Sequence, residues 1–574
     1  MDKIKKYFND NKIELYFISI LTIIAFVIRL VAMNNIGELA YDEIASWYFA
    51  GKKSVFDTVL SLIREDVNMP LYFVILHFWI KLFGDSEKSM HLCSIIISIP
   101  LIPLSFYLMK SLFNKTSAYY TSVLFALNTF CIYYSLEVSF FGLVILFSLL
   151  ASFVFVKMLE KFEKKYVISF LIIHTLLFYT FSLVSILSLF YLIVGFSYVL
   201  IKKRNIKDFV ITYCIALVFA LPVIVITIKN YLSLNSNICL YCAEFFRFSP
   251  YAIYDILENF FSSENYQLNE HTLGVYRDIF DNLSNLKYLF LVLVPVLISL
   301  FALIKGSLSK NMRLVLFILP SLFAFVYVIL LASADAICFQ TKYLVFVFPV
   351  FVCWCAFGLS LIRNKIFGVV LFCILIYLNI MYTVLSPNNI LNYRNVEIGN
   401  LDKVVNNIAE IKNDDILFIP FSSNKLKMYI NKGNLIPFSF DEALLLKDKD
   451  SLRFYFGDEL YKKINSNNAK DVFYEYIFEN KIPLSFENNM KSKYFNNMKK
   501  NQRFIYISPY EKYTGSIDDS WNVGIENYEY ASKFDLFMSK VSRDAKILAD
   551  ENLKFIKKYK DDKRNYSIYI YEKN

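Results

Sequence analysis

Charge is scarce in this chain. Only 19% of its 574 residues are Asp, Glu, Lys or Arg, against about a quarter in a soluble domain. That shortfall excludes a molecule whose whole surface faces water. Cysteine is absent beyond Pro387, since all nine cysteines precede it, so the last part of the chain does not depend on disulfides. Most of the nine lie inside apolar runs, where a thiol behaves as a small hydrophobe. Cys239 and Cys242 form one isolated C-x-x-C with no second pair and no histidine nearby, which argues against zinc. The pair reads as two idle thiols, with a disulfide as the other reading.

A basic stripe is missing too. The net charge is +10, but the cations are spread over short loops between apolar segments and over the tail. That is the pattern of topology signals and solvated faces, and it excludes nucleic acid as a partner. No small-residue cleavage site follows Ile13–Met33, which is too long for a signal peptide and carries Arg29 near its end. It reads as a first helix. Beyond Pro387 there is no Gly-rich phosphate loop, metal cluster or nucleophile motif.

What is abundant is apolar sequence, at 57% of the chain. A spanning helix needs about 20 apolar residues. Ile13–Met33, Leu92–Met109, Ala118–Tyr134, Phe140–Val156, Asp208–Ile228, Leu286–Ile304, Leu314–Ala332, Tyr343–Leu361 and Phe367–Val384 meet that need. Tyr166–Ile201 is about twice the required length and reads as two helices, giving eleven spans. The expected fold is therefore a polytopic α-helical membrane domain over 1–386, followed by a soluble α/β domain over 387–574. In the latter, Asp415–Pro420, Arg503–Ser508 and Tyr566–Tyr571 read as strands, with helices at Leu401–Ile411 and near Lys540–Tyr559.

Short loops rich in Lys and Arg mark the cytoplasmic side. The N-terminal lysines, Lys110 and Lys115, Lys157 to Lys165, Lys202 to Lys207, Lys305 to Arg313, and Arg363 with Lys365 all fall on one side if there are eleven crossings. The expected location is a plasma membrane, with the N-terminus cytoplasmic and the C-terminal domain outside. Pro70–Phe83 would break this alternation if it spanned. At 14 residues with His77, Trp79 and Lys81, it suits a helix lying along the membrane. The outer face then holds a first loop, 34–90, and a second, 229–285.

This topology gathers polar residues at one surface. Asp42 and Glu43 lie in Tyr41-Asp-Glu-Ile-Ala-Ser-Trp47; Glu65, Asp66 and Asn68 precede Met69-Pro70-Leu71-Tyr72; His91 opens the second span; Glu137 sits in a short turn; Lys342 and Arg29 stand near helix ends. Singly, each has an ordinary explanation: snorkelling cations or an acidic first turn of a surface helix. Together they suit one chemistry. A carboxylate accepts a proton from a hydroxyl, and cations at headgroup level hold a lipid phosphate and stabilise its charge as it leaves.

These residues resemble a family of membrane glycosyltransferases with the GT-C fold, the group of protein O-mannosyltransferases and the lipid A aminoarabinose transferase. The resemblance spans roughly the first 390 residues. Ile28-Arg-Leu30 with Tyr41-Asp-Glu43 is similar to the family's first helix and acidic motif. Asn68-Met-Pro-Leu-Tyr72 through Leu82-Phe-Gly84 resembles its His-Pro-Pro-Leu-Tyr segment and Phe-Gly ending. His91-Leu-Cys-Ser94 resembles its Arg-Leu-Pro-Ser, Tyr133-Tyr-Ser-Leu-Glu137 its Tyr-Ser-Gln-Glu-Ala-Arg turn, and Lys342-Tyr343 its Arg-Tyr.

The resemblance implies inverting transfer of a sugar from a polyprenyl-phosphate donor to a hydroxyl on a cell-envelope glycan, lipid or protein. Asp42 would be the general base. Glu43 would position sugar or acceptor, helped by Glu137, Tyr343, Glu65, Asp66 and Asn68, while Lys342, His91 and Arg29 hold the phosphate. A divalent metal is left open as cofactor. The chain departs from the pattern where Ser139 replaces Arg, Asn68-Met69 replaces His-Pro, His91 and Lys342 replace Arg, and Phe181 stands at a frequent histidine position. Two other classes fit the composition: a flippase for lipid-linked substrate, which favours charges at mid-membrane, and a non-catalytic lipid-binding relative.

Overall fold

In a computed structural model, the described residues are 12–35, 39, 41–65, 68–235, 312–334, 341–380, 411–418, 434–436, 484–508, 544–560 and 567–574, with isolated positions between them. The predicted helix Leu401–Ile411, nearly all of Leu286–Ile304, the Cys239–Cys242 pair and most of the loop 229–285 lie outside them.

The described residues of the membrane part are mainly helical. Its elements are α1 (Lys12–Asn35), α2 (Tyr41–Ala50), α3 (Val55–Glu65), α4 (Pro70–Phe83), α5 (Glu87–Ser98), α6 (Leu101–Leu112), α7 (Lys115–Leu127) and α8 (Thr129–Leu136). They continue with α9 (Phe141–Lys161), α10 (Lys164–Phe178), α11 (Val184–Lys202), α12 (Ile206–Asn235), α13 (Met312–Ser333), α14 (Phe348–Ser360) and α15 (Lys365–Ile380). Among the described residues six helices are long and apolar enough to cross a bilayer, α5 and α6 counting together as one span, Glu87–Leu112. The long run Tyr166–Ile201 is two helices, α10 and α11, as its length requires.

Helix boundaries follow local chemistry. Ser86, Asn114 and Asn128 each turn a side-chain oxygen onto a backbone N–H of the following first turn, the N-cap arrangement these residues favour. α4 opens with Pro70, whose missing N–H costs nothing at a first position. It stops at Gly84, where φ is +82°. Three predicted spans are corrected in their bounds. Leu92–Met109 begins earlier, at Glu87, and is interrupted at Ile99-Pro100. Ala118–Tyr134 is broken at Asn128, because the Asn128 side chain caps a new helix in place of continuing the old one. A third, Tyr343–Leu361, is a helix only from Phe348, after a 3-10 turn at Thr341–Leu344.

The basic loops meet at one end of the bundle. Lys110 and Lys115 clasp Glu14 of α1 at 2.5 and 2.8 Å. Lys157 donates to the Ser111 carbonyl at 3.3 Å, Arg313 pairs with Glu160, and Lys305 donates to the Leu361 carbonyl at 2.7 Å. α14 runs antiparallel to α7: Asn114 bonds Ser360 at 3.1 Å, while the Phe125 and Phe348 rings meet at the other end, 6.1 Å apart. The turn Thr341–Leu344, which leads into α14, is thereby at the end opposite the basic loops.

Between the ends the core is aromatic and close-packed. α10, α11 and α12 meet around Phe170, Tyr191 and Tyr213. Gly195 of α11 lies against this seam, and a Cβ there would fall 2.6 Å from the Phe209 ring and 3.1 Å from that of Phe155. Gly195→Ala is therefore expected to destabilise the membrane domain by about 1–3 kcal/mol, the usual cost of overpacking. A thermal-shift or denaturant titration of the full chain in detergent checks it, and an unchanged midpoint would refute it.

The C-terminal part holds a five-stranded sheet. Its strands are β1 (Ile416–Phe418), β2 (Asn434–Leu435), β3 (Arg503–Ser508), β4 (Lys554–Lys560) and β5 (Ser567–Glu572), in the order β2-β1-β3-β5-β4. β1 pairs parallel with β2 and β3, and β5 pairs antiparallel with β3 and β4. Asp415, 1% exposed, receives the Arg503 guanidinium in a bidentate contact of 2.9 and 2.5 Å that fastens β1 to β3. The three predicted strands are present in their described parts. The predicted helix Lys540–Tyr559 is corrected: helix covers 544–552 and then gives way to β4. Lysine favours helix in isolation, but pairing with β5 decides the outcome for Lys554–Lys560.

Candidate active site at the end of the bundle

Three segments far apart in sequence converge at the end opposite the basic loops. α2 carries Glu43, which is fully buried. Its Oε1 accepts the backbone N–H of Val138 at 2.8 Å, in the turn between α8 and α9. From α5, His91 approaches with Nδ1 3.8 Å from Glu43 Oε1 and 2.6 Å from the Leu136 carbonyl. A carbonyl only accepts, so Nδ1 carries the proton, and the imidazole is held in one tautomer. Glu137, 6% exposed, sits between the two contacts at the C-terminal cap of α8.

α4 supplies the floor. Tyr72, 1% exposed, bonds Ser94 of α5 through its hydroxyl at 2.8 Å. Burial first, then Cys93 and the carboxylates of Glu43 and Glu137, holds its phenol well above its ordinary pKa, so it stays a neutral hydrogen-bonding group. The outer helices are tied to one another by polar contacts. The imidazole of His77 on α4 bonds the Ala50 carbonyl of α2 at 2.8 Å. Trp47 donates to Asp85 at 3.2 Å, and the Leu71 N–H donates to the Tyr179 carbonyl beyond α10 at 2.9 Å.

The predicted site residues divide into groups. Glu43, His91 and Glu137 are brought together. Asp42 is the neighbour of Glu43 on the first turn of α2, its side chain outside the described residues, as are the Glu65 side chain and all of Asp66. Asn68 is half-buried beside Met69, which packs on Phe178 and Ala220. Lys342 and Tyr343 are half-buried in the turn before α14, at the same end of the bundle.

Arg29 is different. It is 2% exposed and all five of its N–H donors meet protein acceptors: Ser135, the carbonyls of Ala25, Ala126 and Phe125, and Cys131. That gives it a structural task in place of the phosphate contact its position near a helix end suggested. Where relatives carry Arg and His, Ser139 and Phe181 are both buried, and the Phe181 ring stacks on Phe140 at 5.3 Å. The Glu43–Val138 bond was not foreseeable from motifs, because its acceptor is a side chain and its donor a backbone N–H. Among the described residues no three His, Cys, Asp or Glu side chains come together as a metal-ligand set.

Comparison with known proteins bears on this arrangement. Residues 68–228 match the family model described as dolichyl-phosphate-mannose-protein mannosyltransferase, a stretch that includes α4, His91 and the Glu137 turn. No protein of curated function matches in sequence. The crystal structure of ArnT from Cupriavidus metallidurans bound to undecaprenyl phosphate superimposes with a TM-score of 0.53 at 10% identity, over 96% of this chain and 98% of that one. The chain has the GT-C fold. Apo ArnT gives a TM-score of 0.52 at 10% identity, over 97% and 98% of the two chains. An oligosaccharyltransferase from Archaeoglobus fulgidus gives 0.46 at 11% identity, over 96% and 88%. The expectation of a polytopic helical GT-C protein with a C-terminal sheet is met. The match over 68–228 lies in the same half of the GT-C chain as most of the acidic cluster.

Proposed function

We propose that this protein is an inverting glycosyltransferase that moves a sugar from a polyprenyl-phosphate donor to a hydroxyl acceptor at the outer face of the membrane. The observation that carries the reading is the placement of the Glu43–His91–Val138 cluster and the Lys342 turn at one end of the bundle, away from the basic loops. Charged loops face the cytoplasm, which puts this end outside. The neighbours support the lipid: ArnT was crystallised with undecaprenyl phosphate.

Asp42 takes the proton of the acceptor hydroxyl as its oxygen attacks the anomeric carbon. The bond from that carbon to the phosphate oxygen breaks, and its electron pair leaves with the polyprenyl phosphate. Lys342 stabilises the charge that the phosphate gains, and His91, its Nδ1–H held by the Leu136 carbonyl, adds to this only when Nε2 is protonated as well. Glu43, buried and bonded to Val138, serves as the brace that holds the turn and α2 together. Membrane lipid surrounds the apolar faces, and the acceptor is a cell-envelope glycan, lipid or protein.

The test is turnover by the purified full-length protein in nanodiscs, given a panel of polyprenyl-phosphate sugars with cell-envelope acceptors. Release of polyprenyl phosphate from one donor class is expected, with a glycoside of opposite anomeric configuration to that donor, read by NMR of the product. A product that retains configuration, or no release from any donor by protein that binds undecaprenyl phosphate, would overturn the reading.

A further inference from the structure

The break between α7 and α8 is held by polar groups that the chemistry above does not use. The guanidinium of Arg29 spans it. Nη1 donates to the Ala126 carbonyl at 3.1 Å and Nη2 to that of Phe125 at 3.3 Å, at the end of α7, where helical carbonyls lack partners of their own. On α8, Nε donates to Ser135 Oγ at 2.8 Å and Nη2 reaches Cys131 Sγ at 3.8 Å. The remaining N–H, on Nη1, goes back to the Ala25 carbonyl at 3.1 Å. The Ser135 hydroxyl donates its O–H to the Ile132 carbonyl at 2.6 Å, which leaves a lone pair of its oxygen to accept from Arg29.

A second clamp closes the break from α15. Asn379 Oδ1 accepts from Asn128 Nδ2 and from the Thr129 N–H, each at 3.2 Å, and its carbonyl accepts the Thr129 hydroxyl at 3.2 Å. An eight-residue helix is too short to be stable or to hold a direction by itself. Yet the far end of α8 carries Leu136, Glu137 and Val138, through which His91 and Glu43 are held.

We infer that Arg29 is a positioning residue that, by pinning Ser135 to the end of α7, fixes the 136–138 turn and so the orientation of His91 and Glu43. The linkage is a chain of contacts: guanidinium to Ser135, Ser135 to the adjacent Leu136 carbonyl, that carbonyl to His91 Nδ1, and the Val138 N–H, two residues further on, to Glu43. The catalytic consequence rests on the transferase reading; the geometric claim does not.

The test uses the full-length protein in lipid nanodiscs, labelled with nitrogen-15 at its four histidines, and solid-state NMR of the imidazole nitrogens. Wild-type His91 is expected in the single Nδ1-protonated tautomer. Ser135→Ala removes one acceptor of Arg29 and leaves the other four. It is expected to move the His91 signals toward a mixture of tautomers while those of His77 and His174 stay in place. Arg29→Lys is expected to do the same, since an ammonium has three donors and no planar fork. If Arg29→Lys fails to fold, Ser135→Ala alone decides.

In turnover assays both variants are expected to lose about 10- to 100-fold in kcat, the scale of a reacting group displaced by a fraction of an ångström to one, with KM for the donor changed less than about twofold. His91 signals unchanged in the folded variants would overturn the proposal. So would equal shifts at His77 and His174, which would mean general loosening. Should wild-type protein turn over no donor, the tautomer readout still decides the positioning claim, separately from the transferase reading.

Discussion

Asp42→Asn is expected to abolish turnover and to leave both folding and binding of undecaprenyl phosphate near wild type. The amide keeps the size and hydrogen-bonding shape of the carboxylate but cannot take the acceptor proton, and loss of a general base costs on the order of 10²–10⁴ in rate. The described contacts of α2 are made by other residues. α2 is held by the Glu43 bond to Val138, by Trp47 to Asp85, and by the Ala50 carbonyl to His77. Turnover, lipid binding and thermal midpoint measured on the same preparation separate the outcomes. Full activity in this variant would remove Asp42 from the mechanism. Lost activity accompanied by a lowered midpoint would assign it a structural place beside Glu43 instead.

The contrast between Asp42 and Glu43 shows where sequence reading stops. Both carboxylates are visible as one acidic pair, and a motif cannot tell which is committed to the fold. The structure commits Glu43 through a backbone N–H at Val138, a partner that leaves no mark in side-chain patterns. Arg29 is the same case. An arginine near a helix end in a membrane protein reads as a cation available to a phosphate, yet two of its five acceptors are carbonyls at the end of α7, nearly a hundred positions away. Backbone acceptors exist at every residue, so only the packing reveals them.

The broken helix was hidden for a related reason. Asn128 interrupts an apolar run without the Gly or Pro that usually announces a break, and its consequence depends on Asn379 arriving from α15. By contrast, part of the loop-charge pattern was legible. Loop charge is a local property, and Glu14, Lys110, Lys115, Glu160 and Arg313 do meet at one end of the bundle. The strand Lys554–Lys560 was obscured because lysine-rich sequence favours helix locally, while the pairing that makes it a strand is formed with residues further along the chain.

Lys342→Met is the second large effect expected, a loss of about 10²–10³ in kcat, the range for removing one group that stabilises charge developing in a transition state. The residue lies in the turn that enters α14, and α14 is fixed against α7 by the Phe125–Phe348 contact at one end and the Asn114–Ser360 bond at the other. The packing of α14 on α7 helps to set the backbone that carries Lys342, and a methionine of similar length is expected to leave it in place, which an unchanged thermal midpoint of the variant checks. Lys342→Arg, which restores the cation the resembled family carries, is expected to recover most of the rate, because charge rather than shape is what the leaving phosphate requires of it. The discriminating measurement is the dependence on the leaving group: if Lys342 stabilises the departing phosphate, donors with a more acidic leaving group should suffer less from the methionine substitution. Equal losses for all leaving groups, or a methionine variant slowed only through a raised KM, would place Lys342 in ground-state binding of the lipid and leave the charge stabilisation to His91.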